Sequence, residues 1–116
     1  MAQDRWTIVF EQGATYYQSV TLNDPDFDVA DATKWELIVA EPDGTIFLTA
    51  TTDNGMIVDG NTDYQKFISI PADTTADFPV GNARFDFNLY YPDDIVRRYY
   101  SLGLAQVNPT AGVVTP

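Results

Sequence analysis

The sequence predicts an all-β chain folded as a single antiparallel β-sandwich of about seven or eight strands. Three observations predict it. Apolar side chains recur at every second position in nearly every segment, the periodicity of a half-buried strand. Turn signals built from Pro, Gly, Asp and Asn recur roughly every 8–12 residues, leaving only short segments between them. The hairpins that these turns imply are uneven in length, which favours a sandwich over a barrel.

The first strand is read from Trp6, Ile8 and Phe10, which alternate with Thr7, Val9 and Glu11. Thr15–Leu22 follows, rich in the β-branched and aromatic types that suit a pleated surface. Lys34–Glu41 is apolar on both faces in its middle, as a central strand would be. Pro42-Asp43-Gly44-Thr45 makes a turn and Thr45–Thr52 returns, closing a hairpin. Asp53-Asn54-Gly55 and Asp59-Gly60-Asn61 are further turns, with Met56–Val58 a short strand between them. Lys66–Ile70 is a strand stopped by Pro71, and the stretch from Pro71 to Pro79 holds one helical turn that Pro79 limits. In Ala83–Tyr91, Ala83, Phe85, Phe87, Leu89 and Tyr91 share one face, while Arg84, Asp86, Asn88 and Tyr90 share the other. Pro92-Asp93-Asp94 closes a second hairpin, and Ile95–Val107 runs back as the last strand. No repeat or linker divides the chain. Residues 1–109 are expected to form the domain and 110–116 a flexible C-terminal tail.

Composition removes several chemistries. The chain of 116 residues is long enough for one core, and 45% hydrophobic content supplies it. It has no cysteine and no histidine. Disulfides, thiol nucleophiles, serine triads and most transition-metal sites therefore lose their usual parts. Seventeen acidic residues against six basic ones give a formal net charge of −11, a poor match for nucleic acid or an anionic membrane, so neither is expected as a partner. The N-terminus shows no secretion signal and no apolar stretch is long enough to span a bilayer, so synthesis in a cytoplasm is expected. No enzyme and no cofactor are expected. A small carboxylate-pair hydrolase stays as a rival, since it needs only two acids in a cleft.

Three features resemble chemistry. Leu22–Asp31 carries four aspartates, and Asp24, Asp26 and Asp28 match the first ligand positions of a calcium-binding loop. The match then fails, because Val29 stands where such a loop needs Gly and Trp35 where it needs Glu. A polar loop between strands is the favoured reading, with a weak calcium site as the alternative. The doublets Tyr16-Tyr17, Tyr90-Tyr91 and Tyr99-Tyr100 each send one ring outward on a regular strand. Tyr17, Tyr90 and Tyr99 are thus candidates to anchor an interface or to stack on sugar. Arg97 and Arg98 point opposite ways. One pairs with a neighbouring subunit or, as favoured, with Asp86 or Asp93 across the hairpin, which makes Arg97 a further interface candidate.

The order of motifs resembles a family of small tail- and baseplate-associated virion proteins of tailed bacteriophages. The stretches that carry it are FEQGATYYQSV, Phe10 to Val20; FDVADATKWEL, Phe27 to Leu37; EPDGTI, Glu41 to Ile46; TADFPVGNARFDFNL, Thr75 to Leu89; and IVRRYYSLGLAQVNP, Ile95 to Pro109. They cover nearly the whole chain in order. Asp93-Asp94 stands where the family more often has Gly, and the residues after Pro109 extend beyond its pattern. The resemblance implies an immunoglobulin-like β-sandwich of a non-enzymatic virion structural protein of the tail, neck or baseplate. Its partners would be other virion proteins, and it would be oligomeric in the assembled particle. A carbohydrate- or receptor-binding module on a fibre and a capsid decoration protein are the alternatives. The family places a turn at the aspartates, with Val29 in an apolar slot and Asp28 and Asp31 bracing it.

Overall fold

A computed structural model describes residues 6–109. The tail expected at 110–116 lies outside the described residues. The strands in chain order are β1 (Ile8–Glu11), β2 (Tyr16–Thr21), β3 (Lys34–Ala40), β4 (Ile46–Thr51), β5 (Ile57–Asp59), β6 (Gln65–Ile70), β7 (Gly81–Tyr91) and β8 (Ile95–Asn108). A 3-10 turn, Val29–Asp31, precedes β3, and one short helix, α1 (Ala72–Thr75), precedes β7. One sheet has five strands in the order β1-β8-β7-β3-β4, and the other has three in the order β2-β6-β5. β3 lies inside its sheet, between β7 and β4, as its apolar middle requires.

One pairing departs from the expected antiparallel pattern. β1 runs parallel to β8, with Ile8 opposite Ala105 and Glu11 opposite Asn108. Alternation reveals the inner face of a strand but not its direction relative to a distant neighbour, so the sequence pattern carries no sign of this pair.

The inner faces of both sheets close on one apolar core. Trp35 on β3 meets Phe87 on β7 edge-on at 6.0 Å, Phe10 meets Phe78 at 5.0 Å, and Trp6 meets Phe85 at 5.0 Å. Burying each such ring stabilises by roughly 1.5–3 kcal/mol. The helical turn α1 and the residues that follow it are tied to the loop after β1 by two long-range bonds. The Thr75 hydroxyl donates to the Ala14 carbonyl at 2.8 Å, and the Gln12 amide donates to the Phe78 carbonyl at 2.7 Å.

The charges are segregated. Among the described residues, every Asp and Glu except Glu36 and Asp86 lies in a loop, in a helical turn or at the last residue of a strand. Among the same residues, no helix is long and apolar enough to cross a membrane.

Candidate functional site

The aspartate loop forms a latch between the β2–β3 connection and β8. Asp24 turns inward, its side chain 1% exposed, and Arg97 meets it through Nε at 3.1 Å and Nη2 at 3.0 Å. The Tyr99 hydroxyl donates to the same carboxylate at 2.6 Å. Tyr91 lies 3.1 Å from Tyr99 oxygen to oxygen and, since the Tyr99 proton points at Asp24, donates to it. The Arg97 guanidinium also lies over the Phe27 ring, 4.7 Å from its centre. Burial pushes the Asp24 carboxyl up, but the bonds from Tyr99, the Asp26 N–H and Arg97 outweigh it and hold the group below its ordinary range. Tyr99 is driven upward, by burial first and then by Asp24.

Asp26 also lies 3.9 Å from Arg97, and the remaining contacts of the loop are local. Asp24 accepts from the Asp26 N–H at 2.8 Å, and Asp28 caps the 3-10 turn by accepting from the Ala30 N–H at 3.0 Å. The Asp31 N–H donates to the Asp28 carbonyl at 2.9 Å, and Val29 is buried beneath the turn. The three calcium candidates do not converge, and no group of three metal-ligating side chains gathers among the described residues.

Two placements differ from the sequence reading. Arg97 pairs with Asp24, 73 residues away, rather than with Asp86 or Asp93. Asp86 instead accepts from the Leu102 N–H at 2.8 Å, and Arg98 donates to Asn88 at 3.0 Å. Tyr99 faces inward, not outward. Phe87 is registered with Tyr100 but Asn88 with Arg98, so Tyr99 is an extra residue in β8 and both rings of the doublet pack against the core. Tyr90 does lie on the outer face, where its hydroxyl donates to Glu36 at 2.7 Å. That bond is the first cause that raises its pKa. Tyr17 is 61% exposed and stacks on Phe67 at 5.2 Å, on the outer face of the three-stranded sheet.

A second irregularity in β8 exposes apolar side chains. Phe85 is registered with Gly103 and Phe87 with Tyr100, so β8 spends three steps where β7 spends two. The bulge holds Leu102 at φ 54, a left-handed conformation rare for a branched side chain. Leu102 is 71% exposed, Leu104 is 53% exposed, and exposed Val9 lies one diagonal step away on β1. They form an apolar ridge on the outer face of the five-stranded sheet. Arg84, registered opposite Leu104, and Arg98 flank it. Sequence periodicity does not single these residues out. The one signal along the chain is Gly103 inside a strand, which marks a bulge or a close approach of another group.

Leu102 strains the backbone by roughly 1–3 kcal/mol for a side chain that buries little. Leu102→Gly is therefore expected to be neutral or to stabilise by up to about 1 kcal/mol, read as a higher urea midpoint. An ordinary structural leucine would give the opposite sign.

No protein-family model matches the chain, and no curated protein matches it. Among solved structures, it is similar to the first immunoglobulin domain of the mouse polymeric immunoglobulin receptor. The TM-score is 0.51 at 11% identity, over 94% of this chain and 95% of that one. Immunoglobulin domains of antibodies pack a buried Trp against an inter-sheet disulfide. Here Trp35 packs against Phe87, and the chain has no cysteine. Two sheets in this strand order, with this likeness across nearly the full length, make the chain an immunoglobulin-like β-sandwich.

Proposed function

We propose that this protein is a non-enzymatic structural component of a tailed-bacteriophage virion, in the tail, neck or baseplate, and that it acts by docking to other virion proteins. The observation that carries the docking is the ridge of Leu102, Leu104 and Val9. Its backbone strain and exposure are not required by the core, and strain of this kind collects where function needs it. Contiguous exposed apolar groups rimmed by polar and charged ones mark surfaces that dock to other proteins. The ordered motifs from Phe10 to Pro109 support the virion as the setting. The acidic loops repel one another, so that subunits do not meet loop to loop.

Mass spectrometry of purified particles, with relative copy numbers, tests this reading. The chain is expected at a fixed stoichiometry, with a small count pointing to the neck, baseplate or fibre attachment. Absence from clean particles would overturn it.

A further inference from the structure

We infer that the Leu102–Leu104 ridge of one copy docks into the cleft beside the Asp24 loop of a second copy, so that the chain associates head to tail. This rests on the assembly reading above and deepens it by naming the partner as the chain itself.

The cleft has a volume of about 390 Å³ and is lined by Pro25, Asp26, Phe27, Asp28, Val29 and Tyr64 among others. Phe27 and Tyr64 offer apolar surface, while the Asp26 carboxylate, 3.9 Å from Arg97 of its own chain, stays 72% exposed. The loop that forms it is held in place. Arg97 and Tyr99 fix Asp24, and the Asp28 cap fixes the turn that follows. A preformed cleft of this kind loses little freedom on binding.

The ridge is its complement in shape and charge. Leu102 projects from a bulge whose N–H is fastened to Asp86. Arg84 and Arg98 stand beside it, in a chain whose formal net charge is −11. On the outer face of the five-stranded sheet, Lys34, Arg84 and Arg98 balance Glu11, Glu36 and Asp86. This face is thus one that an acidic loop can approach without repulsion. Arginines that meet Asp26 and Asp28 across the contact are paired, whereas two ridges face to face would set arginine against arginine. Ridge and cleft are different surfaces of one molecule. Such a contact is heterologous and builds a ring if the rotation closes, or a filament if it does not.

Sedimentation velocity of the full chain, from micromolar to millimolar concentration, tests this. Wild type is expected to assemble beyond a dimer as concentration rises. Leu102→Gly combined with Leu104→Ser removes the ridge, and Asp26→Lys reverses the charge of the cleft. Each is expected to weaken association by about tenfold or more. Tyr64→Ala, on the cleft wall, serves as a second cleft variant should Asp26→Lys disturb Arg97. The deciding sample is an equimolar mixture of ridge and cleft variants. The first keeps an intact cleft and the second an intact ridge, so the mixture is expected to give 1:1 dimers that grow no further. A wild type that stays monomeric throughout, or a mixture that forms no heterodimer, overturns the inference. If the chain is then still found in particles at fixed stoichiometry, the virion reading stands and only self-docking falls. If the chain associates in this way but is absent from particles, self-docking stands and the virion reading falls.

Discussion

Gly103→Ala is expected to destabilise the sandwich by about 2–3 kcal/mol. A Cβ built on Gly103 would lie 2.5 Å from Cε2 and 2.6 Å from Cζ of the Phe85 ring, closer than carbon atoms approach. The ring has little room to yield. Phe85 is buried, with Trp6 edge-on at 5.0 Å and Tyr100 at 5.8 Å. Relief must therefore come from moving β8, which disturbs the bulge and the Asp86 bond to Leu102. Urea unfolding of the variant against wild type measures the loss. Adding Phe85→Leu to Gly103→Ala should recover part of it, because the smaller side chain removes the clash. An unchanged midpoint for Gly103→Ala would mean that β8 shifts freely and that its bulge does not hold Leu102 in place.

Asp24→Asn is expected to destabilise by about 1.5–3 kcal/mol, the range for hydrogen bonds to a charged group. The amide keeps one acceptor oxygen, but it presents a donor to Arg97 and Tyr99, which are themselves donors. The loss stays below that of a fully buried pair because Arg97 is 37% exposed and regains water when released. The variant also changes the response to acid. The folded state holds the Asp24 pKa below its ordinary value of 3.8. The latch therefore contributes fully above that pH and is lost as pH falls below it, through the folded value. Asp59 and Asp43 are lowered as well, by Lys66 and by Thr45, so wild type loses stability in acid through several groups. Asp24→Asn should remove one of these contributions. The gap between the two proteins is expected to be widest near neutral pH and to shrink as pH falls below 3.8. A gap that stays constant with pH would mean that the latch works by shape and not by charge.

The sequence by itself determined the all-β class, the inward face of most strands and the places where the chain turns. These follow from local rules. Period-two alternation puts Phe85, Phe87 and Leu89 on one side, and Pro-Asp-Gly and Asp-Asn-Gly cannot continue a strand. The bracing of the turn by Asp28 and the burial of Val29 were expected from the family resemblance rather than from a local rule. The tertiary structure alone decided the parallel pairing of β1 with β8, the partner of Arg97, the inward turn of Tyr99 and the outward thrust of Leu102. Each depends on a register set between distant segments. One extra residue in a strand reverses the faces of those around it, and no count along the chain shows where a strand will accept one. The site lies at those interruptions because a regular strand would have alternated the two rings of Tyr99-Tyr100 and would not have held Leu102 in a left-handed bend above the sheet.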